Sequence, residues 1–202
     1  MAMFSLYCDD SGTHFQSDIA IAACYVATVD QWKEFNRNWE EANQAEHFGV
    51  FHMADFVARK EQFASPEWQD DEKRHRTLCR PINIIVTRAR YGFYSVLEKK
   101  AYDEEVPQDL KNKRHLGDNH YTFAIWMCLG KVLKWRRKYS HQEPIEFVFD
   151  QMSKGKGEIN NVFNRFLEED REAALMENGI YPGGWAFKSK SRRRSAGTCS
   201  GS

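Results

Sequence analysis

The stretch FVFDQMSKGKGEI, residues 147–159, decides the fold because it joins a strand to a helix through a short loop. The apolar run 145–150 predicts a strand, and it ends in a single carboxylate, Asp150. Apolar residues then recur at helical spacing, at 159, 162, 163, 166 and 167, and predict a helix over 156–178. Asp150 either caps the loop or forms one arm of a metal site whose partner lies elsewhere in the chain.

Four further apolar segments have strand character. The predicted strands are 4–8, 19–28, 90–97, 145–150 and 184–188. The two adjacent strands at the start indicate an antiparallel hairpin, and the later alternation of strands with helices indicates parallel pairing through right-handed crossovers. We therefore expect an α/β fold with a mixed five-stranded sheet flanked by helices, for which a ribonuclease-H-like topology is the best match.

A helical insertion is predicted over about 29–88, between the second and third strands. Thr28 or Asp30 has the residue type of an N-cap for its first helix. Ser65 and Pro66 resemble the N-cap and first residue of a long helix that ends near residue 88. The other predicted elements are a polar loop over 103–118 and a helix over 119–139.

Composition bounds the class of protein. The 202 residues suit one domain, expected over 1–191, followed by a disordered tail of small and basic residues over 192–202. The 29 basic and 29 acidic residues cancel, so a nucleic-acid surface would have to be local. No signal peptide or membrane span is evident, and the five scattered cysteines indicate unpaired thiols in a reducing cytoplasm.

Adjacent carboxylates, Asp9 and Asp10, follow the first predicted strand. Successive side chains on a strand point in opposite directions, so one carboxylate would enter a site and the other would leave it. Hard cations such as Mg²⁺ prefer oxygen ligands, and phosphoryl-transfer sites collect carboxylates from neighbouring strand ends. If strands 4–8 and 145–150 are parallel neighbours, Asp9 and Asp150 form such a pair; otherwise both residues are ordinary turn and loop caps.

A second pair of polar side chains lies in the segment HMAD, where His52 and Asp55 are three residues apart. On a helix this spacing places both on one face, where they would be a ligand pair or an acid and base pair. An N-cap aspartate beside a surface histidine is the simpler interpretation.

Four lysines are candidates for binding phosphate or a nucleic-acid backbone. Lys154 and Lys156 lie in the loop before the helix over 156–178, where backbone amides attract anions. Lys188 and Lys190 belong to the basic cluster KSKSRRR (188–194), and a second cluster, KWRRK, covers 134–138. All of these are equally compatible with solvated surface faces.

Several of these segments resemble a family of bacterial proteins known as domain of unknown function 3800. LYCDDSGTH resembles that family's Y-x-D-E-S-G opening, with Asp10 where the family usually has glutamate. FHMADF resembles its I-H-x-x-D/E-L segment, which places His52 and Asp55 in the matching positions. FVFD resembles its fourth-strand aspartate, here Asp150, and WAFKSKS its F-x-x-S-K strand. The resemblance covers about residues 4–191.

The resemblance implies a ribonuclease-H-like, metal-dependent nuclease that uses Mg²⁺ or Mn²⁺ on DNA or RNA. Asp9, Asp10, Asp150, His52 and Asp55 would be its catalytic residues, with Asp9 and Asp150 as metal ligands. The family closes with an L-Q-x-A-D helix, where this chain has RRRSAGTCSGS, so an impaired nuclease is expected. A non-catalytic interaction or scaffold protein that retains the fold is the alternative.

Overall fold

Five strands form a single mixed sheet in the computed structural model. The structure describes residues 3–12, 16–89, 91–113, 119–139, 143–150 and 180–188, and for 112–113, 150 and 180–188 it describes the backbone alone. The strands are β1 (Phe4–Ser11), β2 (Ile19–Thr28), β3 (Tyr91–Glu98), β4 (Ile145–Asp150) and β5 (Ile180–Lys188). Their order across the sheet is β3-β2-β1-β4-β5.

One strand of this sheet, β2, runs opposite to the other four. β2 pairs antiparallel with both β1 and β3, whereas β4 pairs parallel with β1 and with β5. The α/β class, the mixed sheet and the early hairpin are therefore confirmed. The predicted adjacency of strands 4–8 and 145–150 is also confirmed, with Cys8 opposite Phe149 in the register.

Six helices accompany the sheet in the described part of the chain. They are α1 (Val29–Glu46), α2 (Met53–Ala58), α3 (Asp71–Arg88), α4 (Lys99–Glu105), α5 (Gln108–Lys113) and α6 (His120–Lys138). Two short 3-10 helices, Glu61–Ala64 and Pro66–Trp68, lie between α2 and α3. The predicted helical insertion between the second and third strands is confirmed by α1, α2 and α3. Within the described residues, no helix is both long and apolar enough to cross a membrane.

The main core lies between the sheet and α6. Alternate β1 residues Phe4, Leu6 and Cys8 are buried there, as the two-residue period of a strand requires. Trp135 of α6 packs edge-on against Phe4 at 5.8 Å between ring centroids. We call this side of the sheet the α6 face.

The opposite side, the α1 face, is covered in part by α1. This helix begins with a capping box, in which the Thr28 hydroxyl accepts from the Gln31 amide and the Gln31 side chain accepts from the Thr28 amide. Trp32 Nε1 donates to the carbonyl of Ser5 at 2.8 Å, and its ring lies 4.7 Å from that of Tyr7. The start of α1 is thereby fixed on β1.

A second, smaller core stabilises the insertion. It is an aromatic cluster of Phe48, Phe56, Phe63 and Trp68, all buried, with Phe51 packed against it. Neighbouring rings meet mostly edge to face at centroid distances of 5.0 to 6.4 Å, a geometry that aromatic quadrupoles favour. The segment around α2 therefore has its own packing, in addition to the contact of α3 with α1.

Two predicted boundaries, the end of the first strand and the start of the long helix in the insertion, are wrong. β1 continues through Asp9, Asp10 and Ser11 because these residues pair with β2, which overrides the turn propensity of DDSG. Ser65 and Pro66 open a 3-10 turn that buries Trp68, and α3 starts only at Asp71, where the Asp70 side chain accepts from the Glu72 amide at 2.9 Å.

The predicted polar loop over 103–118 is also wrong in its first part. α4 extends to Glu105, since it buries Tyr102, and α5 follows over Gln108–Lys113. The fifth strand starts at Ile180, four residues before its predicted start. The predicted helix over 156–178, the loop lysines Lys154 and Lys156, Lys190 and the tail over 192–202 lie outside the described residues.

Candidate functional site

Two aspartates lie near the carboxyl ends of β1 and β4, which are neighbours in the middle of the sheet. Cys8 of β1 and Phe149 of β4 are register partners on parallel strands, and Asp9 and Asp150 follow them directly. In parallel strands the carboxyl ends meet at one edge of the sheet, which is where α/β proteins bind ligands. The backbone thus brings together the two positions that the sequence analysis paired as metal ligands.

The two adjacent carboxylates of β1 differ in their surroundings. Asp9 is exposed and follows Cys8 in the strand, so its side chain leaves on the α1 face, like that of Tyr7. Asp10 is half-buried and shares the α6 face with Cys8. The Asp10 amide donates to Asp9 Oδ1 at 3.0 Å, which orients the Asp9 carboxylate. Strand alternation therefore assigns the two carboxylates to opposite faces of the sheet, and which of them enters a site stays a prediction.

Gly12 ends the acidic strand with a turn that requires glycine. Its φ is +68°, and a Cβ atom there would lie 2.3 Å from the carbonyl oxygen of Ile19. This contact is shorter than any van der Waals distance, so a side chain would displace the turn that follows Asp9 and Asp10.

Tyr121, in the first turn of α6, is a neighbour of the acidic pair that the sequence analysis missed. It is only 1% exposed. Burial raises the pKa of Tyr121 well above its usual value, and the nearby Cys8, Cys24, Asp10 and Asp9 raise it further. Its hydroxyl therefore stays protonated beside the carboxylates.

Three thiols lie in the core beside these groups. Cys8, Cys24 and Cys128 are all buried, and Cys128 Sγ donates to the carbonyl of Ala22 at 3.5 Å. Burial raises the pKa of the Cys8 thiol, so it stays neutral and unreactive. Among the described residues every cysteine is an unpaired thiol, as expected.

The His52 and Asp55 side chains contact each other directly. His52 Nδ1 lies 2.8 Å from Asp55 Oδ2, with the imidazole 58% exposed. His52 occupies the N-cap position of α2 and Asp55 lies in its first turn, so the predicted shared face is confirmed. Phe56, on the same helix, anchors the pair to the aromatic cluster.

Gln62 fixes the segment that leads into this pair, a second residue that the sequence analysis missed. Its side-chain amide accepts from the Gly49 amide at 2.7 Å and donates to the Val50 carbonyl at 2.6 Å. The Gln62 side chain thus bonds to the backbone of this segment in the way that a neighbouring strand would. Arg59 and Glu61, just after α2, have left-handed φ values of 52° and 51°. Residues other than glycine adopt such angles at a cost of about 1 kcal/mol or more, and they cluster at functional sites.

The candidate phosphate ligands are only partly located by the structure. Lys188, at the end of β5, is the register partner of Asp150 at the end of β4. A basic residue therefore occupies the strand position next to the candidate metal ligand. Lys154, Lys156 and Lys190 cannot be placed in the same way.

The described side chains include no group of three or more histidine, cysteine, aspartate or glutamate residues suited to a metal ion. The carboxylate of Asp150 lies outside the described side chains, so the pair of Asp9 and Asp150 stays a prediction. Carboxylate oxygens are the donors that Mg²⁺ and Mn²⁺ prefer, and the strand ends supply two of them. The chemistry of this pair fits a hard divalent cation.

Comparison with known proteins identifies no relative. No family model, curated protein or solved structure matches the chain.

Proposed function

We propose that this protein is a divalent-metal-dependent nuclease or phosphodiesterase of ribonuclease-H-like type. The observation that carries the proposal is the placement of Asp9 and Asp150 side by side, near the carboxyl ends of adjacent parallel strands. A sheet with three antiparallel strands followed by two parallel ones, in the order β3-β2-β1-β4-β5, is what we expect of a ribonuclease-H-like domain. The family resemblance supports the same assignment and rests on the quoted motifs.

Asp9 and Asp150 would hold the cation, which when bound supplies charge neutralisation and an activated water. Lys188 lies at the strand position beside Asp150, where a cation can attract the phosphate of the substrate. Tyr121 remains a protonated hydroxyl next to the acidic strand, so it can donate a hydrogen bond.

His52 and Asp55 would transfer the proton. The contact of Asp55 with His52 Nδ1 fixes the ring, which leaves Nε2 as the atom that exchanges a proton with the leaving oxygen. The 58% exposure of the imidazole gives a substrate access to it.

The length of α1 supports a shared location for these groups. The Thr28 cap lies opposite Phe4, at the amino end of β1, and Trp32 contacts Ser5 and Tyr7 further along the strand. α1 therefore runs in the direction of β1. Its 18 residues span about 27 Å, close to the about 26 Å of an eight-residue strand. We infer that the insertion delivers His52 and Asp55 to the end of the sheet that carries Asp9.

Cleavage of labelled DNA and RNA with Mg²⁺ or Mn²⁺, and with a chelator, tests the proposal. We expect metal-dependent cleavage that Asp9→Asn and Asp150→Asn each reduce by at least about a hundredfold. Asp30→Asn is the matched control, since Asp30 is an 88% exposed carboxylate on α1. Metal-independent cleavage would contradict the metal-dependent mechanism, and no cleavage by any variant including the wild type would favour the scaffold alternative.

A further inference from the structure

The outer side of α6 carries a stripe of cations. Lys131, Lys134 and Lys138 are spaced by three and four residues, so they lie on one side of the helix, with Arg137 next to them. All four are exposed, and the 19 residues of α6 contain no aspartate or glutamate. The described residues form no ion pair with any of the four.

The helix dipole explains only part of this stripe. Cations in the last turn of a helix are stabilised by its carboxyl end, which accounts for Arg137 and Lys138. Lys131 and Lys134 lie one to two turns earlier, where that effect has faded. A separate reason is needed for Lys131 and Lys134, which form no ion pair within the described part of the chain.

Exposed aromatic rings accompany the stripe along the edge strand β3. The Tyr94 side chain is 67% exposed, and Lys131 Nζ lies 5.3 Å from its ring centroid. Lys131 also donates a hydrogen bond to the Tyr94 carbonyl at the open edge of the sheet. At the end of α6, Tyr139 is 49% exposed, and Lys138 Nζ lies 5.3 Å from its ring. The surface formed by these cations and tyrosines, which wraps around β3, is called the edge surface below.

We propose that the edge surface binds single-stranded nucleic acid. Lysine and arginine side chains neutralise phosphates, and exposed aromatic rings stack on unpaired bases without regard to sequence. The edge surface provides both, with charge complementary to a polyanion. A duplex would keep its bases stacked inside and gain nothing from Tyr94, so the rings favour a single strand.

The aromatic ladder of α1 shows that rings alone do not define such a surface. Trp32, Phe35 and Trp39 also follow one another in contact, at 5.2 and 5.4 Å between centroids. α1 carries five acidic and two basic residues, however, and would repel phosphates. On α6 and β3, rings are combined with cations that form no ion pair among the described residues.

The same helix connects the edge surface to the candidate site. Tyr121, beside Asp9 and Asp10, precedes Lys134 by thirteen residues, or about 20 Å along α6. A strand bound at the edge surface could extend to the acidic strand end. The inference thus names the substrate class of the proposed nuclease and rests on that function.

Anisotropy of a labelled oligothymidylate and a labelled oligouridylate tests the edge surface on the full chain, in chelator, so that no cleavage occurs. The double variant Lys134→Gln with Lys138→Gln should make the fall of log affinity with log salt concentration less steep by about 1.4. Each phosphate contact on a single strand contributes about 0.7 to the magnitude of this slope. Lys33→Gln with Arg37→Gln removes the same charge from α1 and should leave the slope unchanged. An equal effect of both double variants would overturn the proposal.

Variants of Tyr94 test the stacking. Tyr94→Thr keeps strand propensity but removes the ring, and should weaken binding at least about fivefold, whereas Tyr94→Phe should retain it. Equal affinity for a duplex, or binding only to anionic phospholipid vesicles, would contradict the assignment. If these variants lose oligonucleotide binding but are still stabilised by metal, the edge surface is supported independently of the nuclease proposal. If the wild type binds the oligonucleotides but is not stabilised by metal, only the proposed function is contradicted.

Discussion

Cys8 of β1 and Phe149 of β4 are register partners on parallel strands, and an aspartate follows each of them. Both partners are buried on the α6 face, so the core itself sets the register of the two strands. A slip by one residue would move each strand's apolar side chains to the wrong face. The juxtaposition of Asp9 and Asp150 is therefore a consequence of core packing.

Gly12 tests the turn that ends the acidic strand. Gly12→Ala should lower the free energy of unfolding by about 1–3 kcal/mol, because φ is +68° and the Cβ atom would meet the Ile19 carbonyl. Gly130 is an exposed residue in the middle of α6, and an added Cβ atom there would meet nothing within 4 Å. Gly130→Ala should therefore raise the free energy of unfolding by up to about 1 kcal/mol. Urea unfolding of both variants measures these changes, and a stabilising Gly12→Ala would contradict the turn.

Glu46 joins the end of α1 to α3 and predicts an acid-sensitive contact. Its carboxylate, 3% exposed, accepts from Thr77 Oγ1 at 3.1 Å and pairs with Arg76 and with Arg80 Nε at 3.0 Å. Burial raises the pKa of Glu46, but the hydrogen bonds from Arg76 and Thr77 and the charges of both arginines outweigh it, so this pKa is lower than that of an ordinary glutamate.

A carboxylate whose pKa is lowered by folding stabilises the protein. The stabilisation is complete at pH values above the unfolded-state pKa, and it is lost as the pH falls through the folded-state pKa. Glu46→Gln should therefore cost about 1–3 kcal/mol near neutral pH and less in acid. Glu40→Gln, at an exposed position of the same helix, is the control. Unfolding curves at neutral pH and below the folded-state pKa measure the difference, and an unchanged cost in acid would contradict the assignment.

Substitution of His52 distinguishes a catalytic role of the insertion from a structural one. Because its imidazole is exposed and paired only with Asp55 among the described side-chain contacts, His52→Ala should change stability by no more than about 0.5 kcal/mol. It should lower metal-dependent cleavage by about 10²- to 10⁴-fold. Full cleavage by this variant would remove the pair from the mechanism. Phe63→Ala, in the aromatic cluster, should instead cost about 3–5 kcal/mol.

Periodicity predicted the strands well because their apolar residues pack on one sheet. The positions of β2 and β4 matched the apolar runs from which they were predicted. The hairpin was predicted because β1 and β2 follow each other directly in the chain. Residues 9–11 were missed as strand since DDSG favours a turn in isolation, and only the pairing with β2 extends it. Tertiary contacts decided this boundary.

The candidate site was predictable in part. Asp9 and Asp150 could be paired because strand order is constrained by handed crossovers, and the three-residue spacing gave His52 and Asp55 a shared face. The Gln62 bridge and the proximity of Tyr121 to the acidic strand depend on contacts between distant segments. No local pattern records such contacts.

Thermal melting with and without Mn²⁺ tests the paired aspartates most directly. A cation bound only by the folded state stabilises it, by about 2.7 kcal/mol at a concentration one hundred times the dissociation constant, so Mn²⁺ should raise the wild-type Tm. Asp150→Asn removes one charge and one hard ligand. It should melt slightly higher than the wild type without metal and show no Mn²⁺ shift, whereas Asp30→Asn should keep the shift. A Mn²⁺ shift in Asp150→Asn equal to that of the wild type would contradict the metal site.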